Sequence, residues 1–161
     1  MILKAEPLTA EAFAPYGDVL DAPATPGRTY FNTALATHRP QAWPSLSMAL
    51  VPATTTLPLE AVRMERHEFS SQSFLPIDVS RYLVVVAPKD ASGAPDSSKA
   101  RAFVAGPHQG ISYRHDTWHH PLVVLDRPGT FAIYMWQDGT KTDEEFVSLV
   151  PPFTVDVPPA R

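Results

Sequence analysis

Two short stretches hold the side chains suited to moving protons or gripping a small polar guest. One is Tyr113-Arg114-His115-Asp116-Thr117-Trp118-His119-His120-Pro121-Leu122, which carries three of the chain's six histidines. The other is Glu65-Arg66-His67, followed by Ser70-Ser71-Gln72-Ser73. Imidazole titrates near neutrality, so histidines beside carboxylate, amide and phenol groups can take and return a proton. The same groups can offer lone pairs to a cation. In extended backbone consecutive side chains alternate faces, so His119 and His120 point apart, as do Glu65 and Arg66. With His119 inward, Tyr113 and His115 would share its face in an unbroken strand, but Asp116-Thr117 has turn character.

These groups lie some fifty positions apart and need a scaffold that joins them. The strand most clearly written is Arg81 to Ala87, a β-branched run apolar on both faces and therefore central in its sheet. Arg101 to Ala105, Leu122 to Leu125 and Phe131 to Trp136 read as further strands, punctuated by Gly106-Pro107, Asp126-Arg127-Pro128-Gly129 and Asp138-Gly139. Ser45 to Val51 alternates, Leu59 to Phe69 lacks a helical apolar stripe and reads as a strand, and Arg28 to Asn32 is expected to be another. Thr9 can cap a short helix over Ala10 to Ala14, with Gly17 as its stop. Thr142 to Glu145 begins either a helical turn or the last edge strand, and the chain from Pro151 is extended. Pro88 to Lys99 is a polar surface loop.

Eighteen prolines against seven glycines exclude long helices, because proline lacks the N–H that a helix interior needs. The expectation is an all-β sandwich or barrel with one or two short helices, in one domain over residues 1–161. A closed barrel of about eight strands leaves room for one small ligand.

With 44% hydrophobic and 19% charged residues the chain has a globular composition. A net charge of −4 without a long basic run argues against nucleic acid. The absence of cysteine excludes disulfides, thiolate ligands and a cysteine nucleophile. No apolar run approaches the roughly 20 residues that span a bilayer, so no membrane partner and a cytoplasmic location are expected.

The two polar stretches together resemble a cupin. In cupins a His-x-His…Glu motif and a later lone His line one end of a barrel, or double-stranded β-helix, and hold a divalent metal. Here the motif reads Glu65-x-His67-x₄-Gln72 with His119 as the later histidine, so one His is replaced by Glu and the Glu by Gln. The closer similarity is to the ureidoglycolate lyase family. It rests on Glu65-Arg66-His67, Gln72-Ser73-Phe74-Leu75-Pro76, Gly110-Ile111-Ser112-Tyr113 and Trp118-His119-His120-Pro121-Leu122. Further likeness runs through Ala12 to Val19, Val84 to Ala87 and Arg101-Ala102-Phe103. The turn Met135-Trp136-Gln137-Asp138-Gly139 departs from the family pattern.

What the resemblance implies is a carbon–nitrogen lyase of allantoin and purine breakdown, splitting ureidoglycolate into glyoxylate and urea. It also implies a homodimer and a divalent metal, nickel being the family's suggestion, with no organic cofactor. The metal ligands would be Glu65, His67, Gln72 and His119. His67, Tyr113, His119 and His120 would serve the proton transfers, Tyr113 as donor or acid. The substrate would meet Gln72, an arginine clamp at Arg101 or Arg114, and hydroxyls at Ser71 and Ser73. Arg63 and His115 are expected at the surface, and His38 and His108 in loops away from the site. Two rival classes are a non-catalytic cupin that binds a small organic acid and a metal-dependent dioxygenase or isomerase.

Overall fold

The computed structural model describes residues 1–33 and 35–160. In chain order the elements are β1 (Ile2–Lys4), β2 (Glu6–Pro7), α1 (Ala10–Phe13), β3 (Gly17–Leu20), β4 (Trp43–Val51), β5 (Leu59–Arg66), β6 (Gln72–Asp78) and β7 (Arg81–Ala87). A 3₁₀ turn (Ser97–Lys99) precedes β8 (Arg101–Ala105), β9 (Gly110–Tyr113), β10 (Trp118–His119), β11 (Val123–Leu125), β12 (Gly129–Gln137) and β13 (Glu145–Asp156). The all-β barrel expected from the short, proline-punctuated strands is what forms, consistent with the cupin-like resemblance. The capped helix is α1: Thr9 Oγ1 accepts from Ala12 N at 3.2 Å, and Phe13 is fully buried.

Eight strands build the larger sheet in the order β1-β13-β5-β10-β7-β8-β2, with β11 also on β7. Its two edges are β1 and β2, and only Ala5 separates them in sequence. The sheet must therefore wrap around into a nearly closed barrel. The second sheet, β3-β9-β6-β12-β4, packs against one side of it.

The apolar run of β7 shows why it is central: its alternate residues feed two different cores. Leu83, Val85 and Ala87 join Met64, Trp118, Leu149 and Phe153, all from the wrapped sheet, and fill the barrel's interior. Tyr82, Val84 and Val86 face the other way and meet Phe74, Ile111, Tyr113 and Phe131 from the second sheet. At about 25 cal/mol per Å² of apolar surface, each core is a principal source of stability.

Three of the lengths of chain that cross between the sheets frame one end of the molecule. Residues 67–71 join β5 to β6, residues 114–117 join β9 to β10, and residues 138–144 join β12 to β13. Their hydrogen bonds to one another place all three at the same end: Asp116 N donates to His67 O at 2.7 Å, and the His67 ring meets Asp143 O. The crossing at 114–117 turns sharply, with Asp116 in the left-handed region at φ 65. Beside it, Gly17 admits no side chain, because a Cβ there would stand 1.9 Å from Ser112 O.

One expectation needs correction, and one open alternative is decided. Arg28 to Asn32 forms no strand. It lies over the outer face of the second sheet, where Thr29, Tyr30, Phe31 and Asn32 line a cavity with Ser73, Leu75 and Tyr134. Its apolar residues lean on a face and do not join a ladder. At the other end, β13 begins at Glu145 and continues through Pro151-Pro152 to Asp156. It can do so because its register on β5 shifts between Ser148 and Phe153, so the residues without N–H groups fall where no ladder bond is needed.

Candidate active site

Strand register assembles the polar groups. On β10, His119 pairs with Glu65 of β5 on one side and Val86 of β7 on the other. In the second sheet Gln72 of β6 pairs with both Tyr113 of β9 and Met135 of β12. His67 comes from the first residue of the first crossing. Glu65, His67, Gln72, Tyr113 and His119 are all buried, His119 to 1% exposure.

The rings are fixed in orientation. Tyr113 stacks on His119 with centroids 4.0 Å apart and planes 16° from parallel. The His67 ring lies 6.0 Å from His119, at 24°. His119 Nδ1 is 2.8 Å from Thr117 O and His67 Nδ1 is 3.0 Å from Asp143 O. A carbonyl only accepts, so both Nδ1 atoms carry a proton, and a ring that is otherwise neutral presents its lone pair at Nε2. Neither Nε2 has a hydrogen-bond partner, and neither does Gln72 Oε1. His119 Nε2 lies 3.3 Å from Glu65 Oε1. A proton or a cation between that nitrogen and the carboxylate makes the contact favourable.

Charge follows burial. Burial, then the neighbouring His119, lowers His67 to about 4, so its ring is neutral at pH 7. Burial would raise the Glu65 carboxyl, but His119, His67 and Arg63 outweigh it and hold it below its ordinary value. Burial pushes the Tyr113 phenol well above its usual range and lowers His120.

A cavity of about 420 Å³ opens onto His67 and Gln72, which line it together with Met135, Gln137, Gly139, Thr140, Lys141, Asp143 and Glu144. A guest there would meet acceptors on one side and the third crossing on the other.

A family model described as ureidoglycolate lyase matches residues 1–156. The chain is 40% identical over 153 residues to a protein of Agrobacterium fabrum, covering 95% of this chain and 94% of that one. It is 37% identical to the ureidoglycolate lyase of Brucella melitensis, covering 81% and 80%, and 37% identical to that of Burkholderia mallei, covering 89% and 88%. The chain belongs to the ureidoglycolate lyase family.

Within this family member the structure brings Glu65, His67, Gln72, Tyr113 and His119 together and leaves other expected residues apart. Arg101 binds Glu6 at 3.2 Å and Ala12 O at 3.1 Å, and its guanidinium lies over Phe103. Arg114 lines a separate cavity with Pro15, Lys89 and Thr117. Neither guanidinium lines the cavity of His67 and Gln72. Ser71 Oγ accepts from Ala36 N at 3.1 Å, and Ser73 Oγ shares a 2.8 Å hydrogen bond with Ser112. Ser73 adjoins Gln72 on the strand and so points to the other face of β6. His120 turns its Nδ1 to Pro121 O at 2.8 Å. His115 is exposed, against His38.

Sequence reading missed Gln137, Lys141, Asp143 and Glu144. Its available signal was the polar stretch after Asp138-Gly139, whose position over the cavity depends on Met135 pairing with Gln72. Arg39 holds this stretch down, bonded to Asp138, to Asp143 at 2.8 Å and to Thr142 O at 2.8 Å.

Two imidazole nitrogens and an amide oxygen, buried and unpaired with their tautomers fixed, are donors that fit a divalent cation. Among the described residues no group of three or more His, Cys, Asp or Glu side chains forms a metal site by itself. The amide of Gln72 would therefore be an essential member of the set.

Proposed function

We propose that the protein is a ureidoglycolate lyase that releases glyoxylate and urea. Ureidoglycolate carries hydroxyl, carboxylate and ureido nitrogen on one carbon. Cleavage removes the hydroxyl proton as C=O forms, breaks the C–N bond and returns a proton to the departing nitrogen. No water is consumed.

The observation that carries the reading is the set of three unpaired acceptors, His67 Nε2, Gln72 Oε1 and His119 Nε2, at the meeting of the two sheets. They complement the N–H and O–H groups of the ureido and carbinol portions. His119 takes the hydroxyl proton at Nε2, where Glu65 stabilises the resulting imidazolium at 3.3 Å, and then gives it to the ureido nitrogen. His67, held neutral, accepts from the substrate. Tyr113 keeps the His119 ring in place by stacking and remains a protonated phenol. Alternatively, the same lone pairs of Glu65, His67, Gln72 and His119 would hold a divalent metal, which would supply Lewis acidity at the substrate's hydroxyl and carboxylate oxygens in place of proton transfer at His119.

A homodimer in the cytoplasm completes the proposal. No helix among the described residues is long and apolar enough to cross a membrane. Strand β4 is an edge of the second sheet and exposes Leu46, Met48 and Leu50. Such an edge supports pairing with another copy.

The test is coupled detection of glyoxylate from purified protein and ureidoglycolate, with and without chelator. Glyoxylate and urea are expected in equal amounts, lost in His119→Ala and retained in His108→Ala. No glyoxylate with or without chelator would leave an organic-acid-binding cupin as the better reading.

A further inference from the structure

A substrate with a carboxylate needs a cation, and neither arginine suggested by sequence supplies one. Arg101 is spent on Glu6 and the end of α1, while Arg114 borders another cavity. The third crossing offers a different group. On it the side chains of Asp138, Thr140, Thr142 and Asp143 are engaged with one another or with Arg39. Lys141 takes part in no ion pair among the described residues, and it lines the cavity of His67 and Gln72.

The remaining lining sharpens the need for it. Asp143 is neutralised by Arg39, but Glu144 stands uncommitted at the same cavity. A carboxylate entering there would meet lone pairs from His67 and Gln72 and an acid from Glu144. Lys141 is the cation in that lining, on a backbone pinned by Arg39 with only its own side chain left to move.

We propose that Lys141 binds the carboxylate of the substrate and so determines that the enzyme takes an acid. This rests on the lyase reading and names the group that fixes the substrate's charged end. The ammonium pairs with the carboxylate, which directs the hydroxyl and ureido groups toward the unpaired acceptors. Lysine, a single mobile charge, suits a guest that must also leave as glyoxylate.

The test compares Lys141→Met and Lys141→Arg with the unaltered enzyme. A charge-assisted contact predicts that K141M raises KM for ureidoglycolate about 10- to 100-fold while kcat changes less than about threefold. K141R should recover most of the affinity. Inhibition by glyoxylate should weaken in K141M in the same proportion as KM, whereas inhibition by neutral urea should not. An unchanged KM and unchanged glyoxylate inhibition would overturn the assignment. So would a fall in kcat with KM unmoved, which would make Lys141 a support for the crossing. Calorimetric binding of glyoxylate to wild type and K141M separates this idea from the lyase reading. If wild type makes no glyoxylate yet binds it through Lys141, the reaction is wrong and the carboxylate site stands.

Discussion

Trp118 and His119 are neighbours on one two-residue strand, yet they face opposite worlds. Trp118 enters the barrel's apolar interior, its Nε1 donates to Gly93 O at 2.9 Å, and the Arg66 guanidinium lies 4.6 Å from its ring. His119 faces the joint between the sheets, stacked on Tyr113, with its Nε2 unsatisfied. Three of the four buried side-chain polar atoms that lack a partner among the described residues belong to His67, Gln72 and His119. The barrel interior is finished as a core, while the joint is left incomplete in the way a binding site must be. The contrast separates residues that hold the molecule up from residues that act on a guest.

The largest effects should split along that line. His119→Ala should lower kcat by about a thousandfold, with a stability loss smaller than that of Trp118→Ala because the ring removed is smaller and has an unmet polar atom. Trp118→Ala should cost about 3–5 kcal/mol of stability through lost contacts and a cavity. Paired measurements of kcat and urea midpoint check both. A large stability loss in H119A with modest kinetic change would erase the distinction.

Acid should expose the next difference. His67 has its pKa lowered to about 4, so between pH 6.5 and 4 the unfolded chain takes up a proton that the folded one refuses. Its contribution is whole above pH 6.5 and declines as pH falls toward 4, by about 3 kcal/mol in total. Melting curves from pH 7 to 4.5 should slope more steeply in wild type than in His67→Asn. Equal slopes would mean that His67 is not held neutral by its burial.

The smallest effect is also the most specific. Gln72→Leu should weaken turnover roughly tenfold while stability holds or rises by about 1 kcal/mol, since an unpaired buried amide oxygen is removed. If Q72L instead destabilises by several kcal/mol, Gln72 belongs to the architecture and not to the site.

Much of this arrangement could be read from sequence, for identifiable reasons. The run Arg81 to Ala87 announced a central strand because both of its faces are apolar, and both are indeed used. His67, Gln72 and His119 were legible through their spacing and family likeness. Arg28 to Asn32 misled because an apolar run leaning on a sheet has the same composition as one within it. The arginine clamp was misplaced because guanidinium chemistry says nothing of which face a strand presents. Lys141 and Glu144 were invisible because their meaning depends on the register of β12 against β6, tens of residues away in sequence.

The three crossings that meet beside the site have one more consequence. Each is a short span anchored at both ends in a ladder, and they are stitched together by Asp116, His67 and Asp143. An aperture framed in this way is braced across its rim by those hydrogen bonds. Molecules should come and go past a rigid rim, so their traffic should be fast, and new substrates should arise by exchanging rim side chains while the frame stays as it is.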